Sequence, residues 1–557
     1  MKTYGQLRHD VDGRGRWIVT DLEPHVAIAF KRFFPRVSAA ATELHLSDTD
    51  DVRADLHWFM QRYPLAHDAA AALAEGVERK ADRLAERDRI LMPTWTPGEV
   101  RGFRDGLAPY LYQTQAAQIA LTQRSLLLGD DVGLGKTISA AAVFAMGAPM
   151  PAAVVVQPHL APQWAAQIEK FTTLRVHVIK GTKPYDLPTA DVYVFRYSNV
   201  AGWIDVLKTG LFKTVAYDEV QELRHGPSTS KGQACRIASQ GAELRIGLTA
   251  TPVYNYGDEI HNVMNFIQPD LLGRGDEFMR EWCNGTRQVK DPDALGSYLR
   301  DTGYFLRRTE TDATVSASMP PANVIDYEVG WDDDATEAEE ALTRSLAMTV
   351  LSGSFVEAGR AARDLDLKMR MLTGIAKARS AAAYVRLLLK DSPRVLLAGW
   401  HRDVYARWME DLAPFNPVLY TGSESGAGKA RSVEAFTNGD SRVMIISLRS
   451  GAGLDGLQFH CRDVVFGELD WSPQVHYQVV GRLRRPGQVE QVTAHYLHTS
   501  GGSDPVLLET LGVKTDQARG IVDPGVAPAA RFTDDSRIRR LAQYVLGMAG
   551  TSNREVA

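Results

Sequence analysis

The sequence predicts an α/β fold, with two tandem parallel-sheet domains that follow a smaller N-terminal α+β domain. Two series of short apolar runs, in residues 109–323 and again in residues 376–515, alternate with helix-forming stretches. This alternation is typical of a parallel sheet with helices on both faces. The first series also contains a glycine-rich turn between a strand and a helix, a connection that belongs to the same kind of fold.

The chain divides into five predicted segments. Residues 1–98 carry no chemical motif but show strand-like and then Ala-, Arg- and Glu-rich helical patterns, so we interpret them as an accessory domain. Residues 99–323 and 376–515 form the two parallel-sheet domains, and the acidic, helix-forming stretch 324–375 links them. Residues 516–557 include a stretch with proline and glycine, and we predict a partly mobile tail there.

Composition argues against several classes of protein. The chain has 557 residues, enough for several domains, and its three widely spaced cysteines indicate neither a disulfide framework nor a paired-cysteine zinc site. The N-terminus is polar and the long uncharged stretch 138–156 contains a glycine and two prolines, so we expect no secretory signal and no membrane span. The net charge of −5 gives no overall attraction to nucleic acid, so a polyanion would need a local basic patch.

The glycine-rich turn reads LLLGDDVGLGKT and predicts a nucleotide phosphate site. The turn ends in a helix without a breaker, so backbone N–H groups at Gly133 and Gly135 and the positive end of the helix dipole would face a bound anion. Lys136 would lie against the β- and γ-phosphates, and the Thr137 hydroxyl would hold Mg²⁺. Asp130 stands where the strict pattern has glycine, and a purely structural glycine turn is the alternative.

An acidic pair follows the apolar run KTVAYDE at the carboxyl end of a predicted strand. Since this end of a parallel sheet also carries the phosphate turn, Asp218 would hold Mg²⁺ and Glu219 would orient and deprotonate the attacking water. Residues 249–252, within the string LTATP, end another predicted strand, where their hydroxyls could bond the acidic pair. Taken alone, either string would be an ordinary strand end.

Two arginines near the end of the second domain lie three residues apart in the string YQVVGRLRRPGQ. On a helix this spacing puts Arg482 and Arg485 on one face, where they could stabilise charge on the transferring γ-phosphoryl group. The alternative is a surface arginine cluster in contact with solvent or a phosphate backbone, which we favour for Arg484.

Taken in order, these strings and several others resemble the motifs of superfamily 2 helicase-like ATPases, and within them the Swi/Snf-type DNA translocases. The resemblance covers about residues 109–500 and extends to PYLYQTQAAQ, DEVQ, LRRTETDAT, SLRSGAGLDGLQF and LDWSPQVHYQVVGRLRRPGQ. Departures are the ending VQ of the acidic box, Glu310 in the place of a lysine and Asp455 in the place of an asparagine. The short span before LRR is most similar to the compact branch of annealing helicases and bacterial or viral relatives.

The resemblance implies two RecA-like domains that hold ATP and Mg²⁺ between them. Gln113 would contact the adenine, and Asp455 and Gln478 would complete the nucleotide site from the second domain. DNA, duplex or branched and of little sequence preference, would lie across both domains, so that each ATP cycle moves the protein along one strand and remodels or reanneals DNA or protein–DNA structures. We also expect a cytoplasmic location, on the nucleoid or in the host of a virus, and leave open a protein partner of the N-terminal domain or the tail.

Other functions remain possible from the sequence. The first is a strand-separating DNA or RNA helicase, and the second is the motor subunit of a restriction or defence complex, although no nuclease signature is present. A non-catalytic DNA-binding scaffold is disfavoured because the phosphate-turn, acidic and arginine residues are all retained. A phosphate-loop kinase would need neither LTATP nor a second domain with motifs of its own.

Overall fold

A computed structural model provides the three-dimensional structure of the chain. The chain forms two compact units, and the connection from the first unit to the second follows Thr309. The residues that the structure describes are 2–10, 15–92, 94–98, 100–250, 259–283, 289–309, 312–316, 322–332, 334, 340–352, 355–448, 454, 456–485, 487–508, 541–543 and 545–547.

The first unit begins with an α+β domain, as the sequence predicts. Its elements are β1 (Gln6–Asp10), β2 (Arg16–Thr20), α1 (Pro24–Phe33), β3 (Leu44–Ser47), α2 (Asp50–Arg62) and α3 (Ala70–Leu91). The three strands form an antiparallel sheet in the order β1-β2-β3. Their apolar side chains meet those of the helices in one core, in which Trp17, Phe30 and Leu56 are fully buried. The Thr49 hydroxyl caps α2 by accepting a hydrogen bond from Val52 N at 3.2 Å.

A seven-stranded sheet forms the rest of the first unit, and all its strand pairs are parallel. Its elements are α4 (Leu111–Gln123), β4 (Ser125–Leu128), α5 (Lys136–Ala145), β5 (Ala152–Val156), α6 (Ala161–Phe171), β6 (Val176–Val178), β7 (Val192–Arg196), α7 (Ile204–Leu207), β8 (Thr214–Asp218), α8 (Ser230–Gly241), β9 (Leu244–Leu248), α9 (Glu259–Ile267), α10 (Gly275–Trp282), α11 (Pro292–Asp301) and β10 (Phe305–Leu306). The strand order is β10-β4-β9-β8-β5-β7-β6.

Burial explains why these apolar runs are strands of a parallel sheet. Every residue of β4 and β5 is buried, and apolar side chains pack into one core on each face of the sheet. Strand β9 lies between β4 and β8, so the glycine-rich turn after β4 and the acidic pair after β8 leave the same edge of the sheet one strand apart.

The second unit contains a six-stranded sheet, again with parallel pairs throughout. Its elements are α12 (Ala313–Ser316), β11 (Asn323–Glu328), α13 (Glu340–Ser352), α14 (Phe355–Leu388), β12 (Val395–Gly399), α15 (Arg402–Asp411), β13 (Val418–Tyr420), α16 (Gly426–Thr437), β14 (Val443–Ser447), β15 (Asp463–Phe466), α17 (Pro473–Leu483) and β16 (Thr493–His498). The strand order is β11-β16-β15-β12-β14-β13, and a core lies on each face. The predicted fold class, two parallel-sheet domains after an α+β domain, is therefore confirmed.

Two features of the second unit go beyond the predicted organisation. Strand β11 pairs with β16 at the edge of the sheet, although the sequence places residues 324–328 in a stretch of linker helices. In the predicted tail, Leu541 and Ala542 are buried in the core of this unit, while most of residues 516–557 lie outside the described part of the chain. Among the described helices, none combines the length and apolar character needed to cross a membrane.

Candidate active site

The turn between β4 and α5 has the backbone geometry of an anion site. Gly133 and Gly135 have φ values of +85° and +71°, in the left-handed region that glycine adopts without strain. Gly135 is the N-cap of α5, so the helix begins at Lys136 and Thr137 lies in its first turn. The first N–H groups of a helix have no partner within it, and with the helix dipole they favour a negative ligand at this position.

The Lys136 ammonium group lies between backbone carbonyls and carboxylates. Its Nζ donates to the carbonyl oxygens of Asp130 at 2.7 Å and Asp131 at 3.1 Å. Burial lowers the pKa of Lys136, and the negative charge of Glu219, followed by those of Asp130, Asp131 and Asp218, opposes this shift. The lysine charge therefore lies at the junction of the phosphate turn and the acidic pair.

Asp218 is the last residue of β8, and neighbouring aromatic residues hold it in place. Trp164 Nε1 donates to the Asp218 carboxylate at 2.9 Å, and the Tyr197 hydroxyl donates to the Asp218 carbonyl oxygen at 2.9 Å. Burial, and then the charge of adjacent Glu219, raise the pKa of Asp218 to about 7. Two adjacent carboxylates in one half-buried site favour binding of a cation. Trp164 follows Gln163 on α6, but the sequence does not indicate that Trp164 bonds Asp218.

Glu219 adopts an uncommon backbone conformation for a residue other than glycine. Its φ of 49° and ψ of 55° are left-handed, and such residues cluster at functional sites because the surrounding structure must stabilise them. Gln221 Nε2 donates to Glu219 Oε2 at 2.6 Å. The last residue of the DEVQ string therefore orients the carboxylate that the sequence predicts to be the general base.

Gln113 and Thr249 lie beside the same turn. Gln113, in the first turn of α4, accepts a hydrogen bond from Tyr110 N at 2.9 Å through Oε1, and its Nε2 approaches Gly135 O at 3.4 Å. Thr249 is buried after β9, and its N–H donates to Leu128 O at 3.1 Å. Two other residues of LTATP, Thr251 and Pro252, lie outside the described part of the chain.

Asp130, the departure from the glycine pattern, has a partner that the sequence did not reveal. Its side chain is completely buried and forms an ion pair with Arg308, whose Nη2 donates to Oδ2 and whose Nε donates to Oδ1 at 3.0 Å. Arg308 N also donates to Asp130 Oδ1 at 3.1 Å. The buried aspartate is therefore neutralised by an arginine 178 positions away in the sequence.

The other predicted site residues belong to the second unit. Gln478 and Arg482 lie on α17, and Arg482 is in its last turn. The helix ends at Leu483, so the prediction that Arg482 and Arg485 share a helical face is wrong. Arg485 is held instead by the carbonyl oxygens of Gly481 and Leu454, each 2.8 Å from its side chain.

Arg484 differs from what the sequence led us to expect, whereas the role of Asp455 stays a prediction. Only 5% of Arg484 is exposed, so it is not the solvent-facing arginine that we favoured. Asp455 lies outside the described residues, as do Glu310, Gly451 and Gly453 of the neighbouring motif strings.

Known proteins match this chain over more than half of its length. The SNF2-related domain matches residues 53–380. Human "DNA annealing helicase and endonuclease ZRANB3" is 27% identical over 421 residues, which cover 70% of this chain and 38% of that protein. The Drosophila melanogaster "SWI/SNF-related matrix-associated actin-dependent regulator of chromatin subfamily A-like protein 1" is 24% identical over 473 residues, 80% of this chain and 60% of that protein.

Among solved structures, "Sulfolobus solfataricus SWI2/SNF2 ATPase core in complex with dsDNA" is 19% identical, with 78% of this chain and 100% of that chain covered at a TM-score of 0.38. The chain spans less than two thirds of the length of either sequence relative. The domain match, however, covers more than half of the chain and includes the phosphate turn, the acidic pair and Arg308. This chain therefore belongs to the SNF2-related domain family.

Proposed function

We propose that this protein is a DNA-stimulated ATP hydrolase that moves along duplex DNA and remodels or reanneals DNA or protein–DNA structures. The observation that carries the proposal is the convergence of the Lys136 ammonium group with the carboxylates of Asp218 and Glu219 at one sheet edge. Such an edge can bind a triphosphate and polarise a water molecule beside it. Family membership and the similarity to a DNA annealing helicase and to a chromatin regulator support the choice of DNA as the stimulating partner.

The residues of the first unit fit ATP and Mg²⁺. The first N–H groups of α5 and the nearby ammonium group suit the phosphates, while the Thr137 hydroxyl and the Asp218 carboxylate are the hard oxygen donors that Mg²⁺ prefers. Bound Mg²⁺ would neutralise charge on the phosphate oxygens. Glu219, held by Gln221, would orient the attacking water and accept its proton, and Gln113 would contact the adenine.

The second unit would supply groups that stabilise the phosphoryl group during its transfer and contact the nucleotide. We assign Arg482 and Arg485 to stabilisation of its charge and Gln478 and Asp455 to further nucleotide contacts, as the family resemblance implies. The carbonyl contacts of Arg485 hold its guanidinium in one position, which limits the side-chain entropy lost when it acts. Hydrolysis would then alter how the two domains hold DNA, and repeated cycles would produce movement.

The proposal is tested by ATPase rates with no nucleic acid, single-stranded DNA, duplex DNA, forked DNA and RNA. We expect duplex or forked DNA to stimulate most, and Lys136→Ala to lower the stimulated rate by at least about 10²-fold because it removes a charge that offsets phosphate negative charge. Circular dichroism and DNA binding of the variant should remain those of the wild type. Wild-type turnover in the variant would refute the assigned site.

Strand separation is distinguished from translocation by two displacement assays on the same preparation. A duplex translocase removes the third strand of a triplex and leaves the duplex paired, whereas a helicase releases a duplex strand. We expect triplex displacement that depends on ATP and little release from a fully paired duplex. RNA as the best stimulator, or release of a duplex strand at the rate of triplex displacement, would favour the helicase alternative.

A further inference from the structure

The segment from Tyr304 to Arg308 runs beside the phosphate turn as an extension of the sheet. Strand β10 pairs in parallel with the end of β4, and the pairing continues beyond both strands. Leu127 N, Gly129 N and Asp131 N donate to alternate carbonyl oxygens of the segment, at 2.8, 2.7 and 2.9 Å. The chain then leaves the first unit after Thr309. Backbone hydrogen bonds therefore join the first half of the phosphate turn to the segment through which the chain leaves the first unit.

Two consecutive arginines of this segment bind the turn through their side chains. Arg307 donates to Gly129 O at 2.7 Å and to the Asp131 carboxylate at 3.2 Å. Arg308 forms the buried pair with Asp130 and also donates to a carbonyl oxygen of α4, that of Tyr112. Charge-assisted hydrogen bonds of this kind are stronger than neutral ones, and a two-pronged arginine–carboxylate pair also fixes orientation.

The same two turn residues hold the phosphate-site lysine. The carbonyl oxygens of Asp130 and Asp131 accept from Lys136 Nζ, while their carboxylates accept from the two arginines. Displacement of Lys136 toward a ligand would weaken its hydrogen bonds to these two carbonyl oxygens. The side chains of the same two residues accept hydrogen bonds from the exit segment. A path of direct contacts therefore runs from the lysine ammonium group to the last residues of the first unit.

We propose that Asp130, Arg307 and Arg308 are positioning residues that hold the phosphate turn ready for nucleotide and transmit nucleotide occupancy to the segment leaving the first unit. The inference rests on the proposed function, since it requires that the turn binds nucleotide. It gives Asp130 a reason to occupy a glycine position: its carboxylate anchors the turn to the exit segment. These three residues together with Asp131 form the exit clasp.

The test uses the full chain and two variants. Asp130→Asn keeps the shape of the side chain and removes the charge that pairs with Arg308. Because loss of one partner of a buried pair can prevent folding, Asp131→Asn provides a milder change, as the Asp131 side chain is 36% exposed. Asp48→Asn is the matched control. Asp48 also receives two hydrogen bonds from one arginine, Arg53, at 2.6 and 2.8 Å, but it lies in the N-terminal domain.

Two quantities are measured: the Kd for a non-hydrolysable ATP analogue with Mg²⁺, and hydrogen exchange of residues 303–309 with and without saturating analogue. We expect Asp130→Asn to raise the Kd for the analogue about tenfold, the effect of one lost charge-assisted hydrogen bond. Asp131→Asn should raise this Kd about threefold, because its more exposed hydrogen bond to Arg307 contributes less. Nucleotide should slow exchange in the wild type and in Asp48→Asn, and should have little effect in the two clasp variants even at saturation. A merely structural role of the clasp would not remove that response.

The inference is overturned if folded Asp130→Asn binds and responds like the wild type, or if Asp48→Asn shows the same losses. If Asp130→Asn does not fold, Asp131→Asn decides by the same two measurements. Failure of the wild-type protein to bind the analogue would instead refute the proposed function, and the clasp with it, which separates the two failures.

Discussion

At the scale of single residues, the candidate site depends on side chains that position others. Trp164 donates to the Asp218 carboxylate, Gln221 donates to Glu219, and Arg308 neutralises Asp130. None of these partners would contact the nucleotide in our proposal. They fix the direction of charged groups that the proposed chemistry needs, as outer-shell partners do around metal ligands.

Replacement of Trp164 tests this positioning. Trp164→Phe keeps an aromatic side chain and removes the N–H that holds the Asp218 carboxylate. We expect the Mg²⁺ concentration for half-maximal ATPase activity to rise about tenfold, in the range found for outer-shell changes, with kcat at saturating Mg²⁺ much less affected. Trp203→Phe, whose indole also lies in the first unit but donates to Gly181 O at 3.4 Å, is the control. An unchanged Mg²⁺ requirement in Trp164→Phe would contradict the role.

His476 makes the stability of the second unit depend on pH. Its Nε2 accepts from Asp470 N at 3.1 Å, and burial lowers the pKa of His476 to about 4 from 6.5. The unfolded chain takes up a proton at His476 below pH 6.5, whereas the folded chain does so only near pH 4. The contribution of His476 to the free energy of unfolding is therefore complete above pH 6.5 and is lost as the pH falls from 6.5 to about 4. Full loss amounts to about 3 kcal/mol.

The measurement is the free energy of unfolding by urea between pH 7 and pH 4.5. His476→Gln keeps a hydrogen-bond acceptor but has no ring that titrates. The slope of its unfolding free energy against pH should therefore be smaller than that of the wild type, by an amount that corresponds to about one proton taken up on unfolding. Equal pH slopes for the two proteins would show that His476 does not titrate as its environment indicates.

At the scale of elements, α14 is joined to the end of the second sheet by buried polar contacts. Lys377, which is 1% exposed, donates to Asp504 at 2.6 Å and to Leu497 O at 2.8 Å. Thr373, one helical turn earlier, accepts from Ser503 N at 2.8 Å. The helix is therefore fixed in rotation and register, which apolar packing alone specifies less strictly.

Removal of the Lys377 charge tests this attachment. Lys377→Met leaves the buried Asp504 carboxylate without its partner, so we expect the second unit to lose about 3–5 kcal/mol of unfolding free energy. Arg379→Met, on the same helix but 76% exposed and 4.0 Å from Asp332, should cost less than about 1 kcal/mol. Urea unfolding monitored by tryptophan fluorescence compares them. Similar losses in both variants would mean that the buried pair has no special role.

At the scale of the whole molecule, a net charge of −5 must coexist with DNA binding in our proposal. Binding would then depend on local basic groups that contact phosphates and release counterions. We expect the logarithm of the binding constant for duplex DNA to fall linearly with the logarithm of salt concentration, with a slope steeper than about −4. Duplexes of unrelated sequence should bind within about threefold of each other, as phosphate contacts carry little sequence information. A slope near zero would contradict the proposal.

The sequence alone was sufficient for the features that depend on local pattern. The alternation of apolar runs with helix-forming stretches predicted the two parallel sheets, because a strand that is buried on both faces of a sheet is apolar along its whole length. Glycine at positions 133 and 135 predicted the turn, and the structure gives both a positive φ. The same reasoning failed at Arg485, since a three-residue spacing implies a shared helical face only if the helix continues.

Only the tertiary structure decided which distant groups meet. Asp130 and Arg308 are 178 positions apart, Trp164 and Asp218 are 54 apart, and Lys377 and Asp504 are 127 apart. In each pair neither residue carries a local signal of the other, because the contact exists only once strands have been ordered in a sheet and helices have been packed on it. Local sequence thus determined the kinds of element and the phosphate turn, while long-range packing determined how the charges of the site are held.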